Sequence, residues 1–136
     1  MDFNATLLDI QEYGIKMKAT IQQTGKLSFT EATARNLELV EDKRFLIFRD
    51  NQKPNDILYM VGINEEHPNY TKAFVVKKSG MYYYMATKTL FDILGIDYKA
   101  TSYAYDIVRL SELDEQTGGT TYRLTRRVTG NKETRN

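Results

Sequence analysis

Alternation of apolar and polar residues runs through most of the chain and predicts strands. Ile15, Met17, Ala19 and Ile21 alternate with polar neighbours, which is the period of a strand with one buried face. Further strands are predicted over 26–29, 44–49, 57–63, 73–76, 81–85, 101–110 and 120–128. Runs rich in Pro, Gly, Asn, Asp and Lys separate these segments. We therefore expect a chain that is mostly β.

Two stretches inside the chain depart from the strand period and predict short helices. Thr30 suits an N-cap, and the helix formers after it place Ala34 and Leu37 on one face. The second helix is predicted over 87–94, and Gly95 suits its C-terminal cap. The first dozen residues are weakly patterned and predict a short helix or an arm.

The two strand–helix–strand units align with each other. When Leu37–Leu39 is set over Leu94–Ile96, the helix and the next strand match without a gap at a shift of about 57 residues, which indicates an internal repeat. We expect halves at 14–64 and 71–128 and a frayed tail at 129–136. The predicted fold is α+β, mostly β with two short helices, in which the two strand–helix–strand halves form a small barrel or a sandwich-like sheet.

A single domain, 1–136, accommodates the whole sequence, because 136 residues lie within the usual domain size. Hydrophobic residues make up 41% and charged residues 27%, which argues against global disorder. The sequence has no cysteine, so disulfides and thiolate metal sites are excluded. The N-terminal residues are acidic where a signal peptide is basic, and no apolar run is long enough for a membrane helix. We therefore expect a cytoplasmic protein with no membrane partner.

The side chains that most enzymes depend on are sparse. The one histidine, His67, lies beside Glu65 and Glu66, but a stable metal site usually needs three or four converging ligands. No Gly-x-Ser-x-Gly elbow is present, and Gly118–Gly119 lacks the lysine and the strand-to-helix context of a phosphate loop. We expect a solvated loop at His67, with no catalytic residue, no metal and no cofactor, and hence a protein that is not an enzyme.

The segment Gly25–Asp50 contains a turn, a strand, a short helix, an acidic turn and a second strand in close succession. The positions that define this order are Gly25–Lys26, Leu27, Phe29, Leu37–Glu38–Leu39 and Glu41–Asp42. The order resembles the DNA-binding half of the AbrB-type swapped-hairpin transcription factors. The second unit, Gly80–Ile107, resembles it less closely but supplies the Leu-Gly-Ile helix exit of that family as Leu94–Gly95–Ile96.

The resemblance implies both an architecture and a ligand. In this family two halves combine, usually in a dimer, to make one barrel, and tandem halves in one chain would resemble the MraZ arrangement. The implied ligand is DNA, with Lys26, Arg35 and Arg44 as phosphate or groove contacts. The sequence departs from the family where Thr30 replaces a proline and Glu38 replaces a glycine. The second unit also lacks a basic residue before its first strand.

Further cations precede the run of tyrosines. Lys77–Lys78 lead into Tyr82–Tyr84, in which Tyr82 and Tyr84 share one strand face and Tyr83 takes the other. Phosphates need such cations, and bases can stack on exposed aromatic rings. The predicted nucleic-acid-binding residues are Lys26, Arg35, Arg44, Lys77 and Lys78.

The overall charge leaves the type of partner open. Nineteen basic residues against 18 acidic ones give a net charge of +1, which argues against binding through positive field alone. One hypothesis is a small DNA-binding protein, regulatory or accessory, that contacts phosphates through a local basic surface. The alternative is a non-enzymatic interaction or structural module of phage or mobile-element type. It would bind a second copy or another protein through tyrosine-rich strands and exposed sheet edges, and the ten tyrosines favour it.

Overall fold

A computed structural model describes residues 17–51 and 56–131 of the chain. The helix or arm predicted for the first dozen residues lies outside these ranges, as do Ile15 of the first predicted strand and the last five residues of the predicted tail.

The described residues form eight strands and three short α-helices. The strands are β1 (Met17–Ile21), β2 (Leu27–Phe29), β3 (Arg44–Phe48), β4 (Ile57–Ile63), β5 (Phe74–Ser79), β6 (Tyr82–Met85), β7 (Thr101–Arg109) and β8 (Thr120–Asn131). The α-helices are α1 (Glu31–Asn36), α2 (Lys88–Ile93) and α3 (Asp114–Thr117), and 3-10 turns lie at Tyr70–Lys72 and Ser111–Leu113. The α+β class with mostly strands is confirmed. The prediction of two helices is wrong, because α3 adds a third helix between the strands predicted at 101–110 and 120–128.

The strands close into one antiparallel barrel in the order β1-β2-β6-β5-β3-β4-β8-β7, with β7 pairing back to β1. The small barrel is confirmed, and it forms within a single chain. The hairpin β1–β2 pairs with β7 and β6, which follow α1 by about fifty residues or more, and not with β3 or β4. The hairpin β5–β6 likewise pairs with β3 and β2. The first hairpin of each half therefore pairs with strands of the other half.

Alternation along each strand fills the interior of the barrel. The predicted inward residues of β1, Ala19 and Ile21, are 0% and 3% exposed. Every other strand contributes at least one large buried or half-buried side chain, among them Phe45, Met60, Met85 and Tyr105, and Phe91 of α2 is buried with them. Three tyrosines, Tyr98, Tyr105 and Tyr122, belong to this core. Part of the high tyrosine content is therefore explained by packing.

The helices and their exits repeat at a constant spacing. α2 lies 57 positions after α1, and four backbone hydrogen bonds of α1 and its exit have counterparts at the same shift. Glu38, with φ of 53°, occupies the position that Gly95 occupies with φ of 73°. That left-handed conformation favours glycine, so Glu38 is the strained member of the pair. The repeat has a gap in the next strands, because Phe45 is opposite Phe74 of β5 and Ile107 holds the equivalent place opposite Met17 of β1. That shift is 62, so the second half has five extra residues between its helix and this point, and the expected match without a gap does not extend to the strand.

Two strand ends were predicted too early. β5 was expected to end before Lys77, but it continues to Ser79 and turns through Gly80 and Met81 into β6. Lysines do not end this strand because their side chains reach solvent beyond the barrel. β8 likewise continues to Asn131, into the segment predicted as a frayed tail, because β7 supplies a partner for that stretch.

Candidate nucleic-acid interface

The outward side of β1, β2, β6 and β5 forms one continuous surface, here called the open face. Its members are Lys18, Thr20, Lys26, Ser28, Val75, Lys77, Ser79, Tyr82 and Tyr84. The strand registers place Thr20, Ser28, Tyr84 and Lys77 in a row across the four strands. The Oγ1 of Thr20 lies 3.2 Å from the Oγ of Ser28. With neighbouring strands about 4.8 Å apart, the row spans roughly 14 Å.

Tyr84 lies at the centre of the open face. The Nζ of Lys26 lies 4.6 Å from the centroid of the Tyr84 ring, and Lys77 is opposite Tyr84 on β5. The Tyr82 ring is 5.8 Å from that of Tyr84 and tilted 43° to it. Both tyrosines are half-buried, so their rings reach solvent. A cation held over an exposed ring gains only about 0.5–1 kcal/mol, which leaves Lys26 able to exchange the ring for a better partner.

The open face has no outward carboxylate on its four strands, all of which the structure describes. Within the described part of the chain, Lys18, Lys26 and Lys77 form no ion pair with an acidic side chain. Acidic residues lie at its borders, and Glu31 and Glu38 line a pocket with Tyr82 at the end of the face. Asp106 on β7 is opposite Lys18, and the amide of Asp42 bonds to the carbonyl of Val76 beside β5. The positive charge of the face is therefore local and not neutralised within it.

Two of the five predicted binding residues, Lys26 and Lys77, meet on the open face. Lys78 is the next residue on β5 and so projects from the other side of the strand, at the end of the barrel. Its Nζ lies 5.5 Å from the Tyr83 ring. Lys78 is exposed and borders the face without belonging to it.

Arg44 lies beside the open face but is engaged elsewhere. It begins β3 opposite Val75, and its guanidinium stacks 4.2 Å from the centroid of the Tyr70 ring. Its Nη1 donates to the Tyr70 carbonyl at 3.3 Å. These contacts attach the 3-10 turn at Tyr70–Lys72 to the barrel, which is a structural role.

Arg35 lies apart from the other cations. It is on α1, where its Nη1 lies 3.3 Å from the carboxylate of Glu31 and both side chains are about seven-tenths exposed. α1 packs near the end of the barrel beside the β5–β6 turn, where Arg35 lines a pocket with Tyr82 and Tyr83. Arg35 therefore borders the open face at Tyr82, but it does not lie on the strand faces that carry Lys26 and Lys77.

Lys18 and the tyrosine pair complete the site and were not among the predicted binding residues. The alternation of Lys18 with Ala19, and of Tyr82 with Tyr83, already places these side chains outward. Alternation is a local property of each strand. These side chains lie near Lys77 because β2, β6 and β5 are neighbours in the barrel, and no local sequence pattern specifies that order.

The opposite side of the barrel, here called the covered face, is formed by the outward positions of β4, β7 and β8. Val61 and Thr121 point outward there, yet each is 0% exposed, because residues 111–117 lie over them. Arg109 holds this segment through two bonds to Asp114, at 2.7 and 2.6 Å. Hydrogen bonds from Arg109, and then from the Thr121 amide, lower the pKa of Asp114 to about 2.

His67 links two segments and does not lie in a solvated loop as expected. Its Nε2 lies 3.0 Å from the Thr117 carbonyl, and the Asn69 amide donates to its Nδ1 at 3.0 Å. Both ring nitrogens are thus engaged by the backbone, which suits the tautomer with its proton on Nε2. Among the described residues, no three His, Cys, Asp or Glu side chains converge as a metal site would require.

No family model, curated protein or solved structure matches this chain. Within 17–51 and 56–131, no helix has the length and apolar character needed to cross a membrane.

Proposed function

We propose that this chain is a small DNA-binding protein, regulatory or accessory in role, that contacts phosphates through the open face. The observation that carries the proposal is the group of three lysines, Lys18, Lys26 and Lys77, on one surface without a carboxylate. Phosphate contacts need cations that are free to approach the backbone of the nucleic acid. Here no ion pair with a described residue has to be broken first.

The exchange of hairpins supports the resemblance to the AbrB-type family. In that family two halves combine into one barrel, and here β1–β2 and β5–β6 each pair with strands of the other half. The pairing would correspond to the tandem, MraZ-like arrangement, with both halves in one chain. A homodimer is not needed to close the barrel and stays a prediction, which the mass in solution would test.

The near-neutral net charge of +1 makes the expected binding local and dependent on salt. Each lysine that neutralises a phosphate releases a counterion, so the logarithm of the affinity falls with the logarithm of the salt concentration. Three contacts predict a slope with a magnitude of about 2 to 3. Proteins that bind through a large positive field would give a steeper slope.

The test is fluorescence anisotropy of labelled DNA, single-stranded and duplex, at two salt concentrations. Lys26→Glu/Lys77→Glu should weaken binding to every sequence at least about tenfold and reduce the salt slope by about 2. Arg123→Glu is the matched control, because Arg123 is an outward cation on β8, on the covered face. If neither DNA binds at low salt, or if both variants lose affinity equally, the open face is not a DNA-binding surface.

The alternative, an interaction or structural module, has one supporting observation. Met81 at the tip of the β5–β6 turn is 84% exposed, beside Tyr82. Every described strand has a neighbour on both sides, but residues 127–131 of β8 pair only with β7 and residues 46–48 of β3 pair only with β4, so short sheet edges remain open to a partner strand. If such a module uses side chains at the turn, Met81→Ser would abolish self-association or partner capture.

A further inference from the structure

The two hairpins of the open face occupy equivalent places but carry different chemistry. The two hairpins can be aligned on Phe29 and Met85, which are the last inward residues before α1 and α2. In this alignment the outward pair Thr20 and Ser28 of the first hairpin corresponds to the outward pair Lys77 and Tyr84 of the second. The hairpin β1–β2 contributes lysines and small hydroxyl side chains. The hairpin β5–β6 contributes one lysine and two tyrosines. The backbones of the two hairpins are thus related by an approximate two-fold axis, but the outward side chains of the two hairpins differ.

We propose that the open face binds single-stranded DNA, with bases on Tyr82 and Tyr84 and phosphates on the lysines on either side of Tyr84. The proposal rests on the proposed function and names the form of DNA that this site takes. A palindromic duplex would present the same groups to both hairpins, and the two hairpins are not alike.

The tyrosine pair has the spacing of two separate base contacts. Residues two apart on a strand lie about 6.5 Å from each other, and the ring centroids are 5.8 Å apart. This spacing is wider than the stacking distance of paired bases, and the 43° tilt gives each ring a face of its own. An extended single strand can place one base on each ring, and stacking of this kind tolerates any base sequence.

Lysines lie on both sides of Tyr84, while Tyr82 is opposite Ser79 on β5. Lys26 reaches Tyr84 from β2, and Lys77 lies beside it on β5. Each neighbouring strand is about 4.8 Å away, so a phosphate that flanks a stacked base falls within reach of a long lysine side chain. Lys26 would exchange its weak contact with the Tyr84 ring for that phosphate, which also frees a face of the ring.

Duplex DNA fits this surface less well. Its bases are paired and stacked, so their faces become available only after unstacking, which costs free energy. The Tyr84 ring stands between Lys26 and Lys77, where the smooth backbone of a duplex would have to pass.

The experiment measures the anisotropy of a labelled oligothymidylate, of a duplex of equal length and of an oligouridylate, at low and moderate salt. Tyr82→Leu/Tyr84→Leu removes the aromatic rings, and Tyr82→Phe/Tyr84→Phe keeps them without the hydroxyls. Tyr59→Leu is the matched control, because Tyr59 is an outward tyrosine opposite Arg123 on the covered face. Circular dichroism establishes that each variant is folded.

We expect the single-stranded DNA to bind at least about tenfold more tightly than the duplex. The leucine variant should lose about tenfold or more of that affinity, while the phenylalanine variant and Tyr59→Leu stay within about twofold of the unmodified chain. The logarithmic salt slope should be close to 2, as three phosphate contacts on a single strand require.

Other outcomes would overturn the inference in distinguishable ways. Duplex binding as tight as single-strand binding, with the leucine variant unchanged, rejects the single-strand inference and leaves the proposed function standing. Equal or tighter binding of oligouridylate rejects DNA as the ligand of this face. Absence of binding to all three probes at low salt rejects the proposed function itself.

Discussion

The open face and the covered face differ in what their cations contact. At the covered face Arg109 and Arg127 are each held by a carboxylate, at 2.6 and 2.9 Å, whereas Arg123 forms no ion pair with a described residue. On the open face Lys26 lies against the ring of Tyr84, and none of the three lysines pairs with a described acidic side chain. Cations in ion pairs fix the covering segment and the strands, while cations without them remain available to a ligand. The number of cations on a surface is therefore a poorer guide to binding than what each cation contacts.

The largest expected effect comes from placing a charge beneath the covering segment. Val61→Asp should reduce the free energy of unfolding by about 3 kcal/mol or more, because a carboxylate buried at this position loses its contact with water. Val75→Asp is the matched change at an outward position of the open face and should cost about 0.5 kcal/mol or less. Urea denaturation at neutral pH measures both. Equal losses would show that residues 111–117 do not cover the barrel.

A smaller effect should appear on acidification. The pKa of Asp114 is lowered to about 2 from its usual 3.8, so its ionised form stabilises the fold above pH 3.8 and this contribution is lost as the pH falls towards 2. Asp114→Asn lacks that contribution at every pH, so its urea midpoint should lie below that of the unmodified chain above pH 3.8. The difference between the two midpoints should become smaller as the pH falls from 3.8 towards 2.

The control for acidification is Glu115→Gln, which removes the carboxylate next to Asp114 on α3, whereas the carboxylate bonded to Arg109 is that of Asp114. It should leave the midpoint nearly unchanged. A constant gap between Asp114→Asn and the unmodified chain down to pH 2 would mean that the ionised carboxylate of Asp114 does not hold the segment.

The smallest effect concerns the border between the two faces, at Asp106. A double-mutant cycle of Arg127 with Asp106 should give a coupling energy of about 0.2–1 kcal/mol, which decreases with salt. The cycle of Lys18 with Asp106 should give less, although the two residues are opposite each other, because the carboxylate is bonded to Arg127. If Lys18 couples as strongly as Arg127 does, Lys18 belongs with the paired cations and is not available to phosphate.

Local patterns were sufficient for most of the elements. Alternation placed β4 at 57–63, where the structure has it, and Thr30 caps α1 through a hydrogen bond from the Thr33 amide. The patterns failed where the stabilising partner is distant in sequence. α3 depends on the bond of Asp114 with Arg109, and the last residues of β8 depend on pairing with β7.

The candidate site was predicted only in part, for a related reason. Lys26 and Lys77 were identified as cations on polar strand faces, but their proximity depends on β2 and β5 both flanking β6. Arg44 carries the same kind of sequence signal, and its stacking on Tyr70 is a contact between residues 26 positions apart. Residue type and alternation show which side chains point outward. They do not show which of those side chains are already in contact with a residue from a distant part of the chain.

The exchanged hairpins also set the order in which the chain can fold during synthesis. The hairpin β1–β2 leaves the ribosome about 70 residues before β7, the strand that β1 pairs with. At a synthesis rate of roughly 5–20 residues per second, the hairpin waits on the order of 4–14 seconds without that partner. An isolated hairpin is marginally stable in water, so its apolar side chains stay open to chaperones until the second half has emerged. Closure between β1 and β7 is therefore one of the last events of folding, and a nascent chain that stalls before β7 cannot complete the surface that carries Lys18.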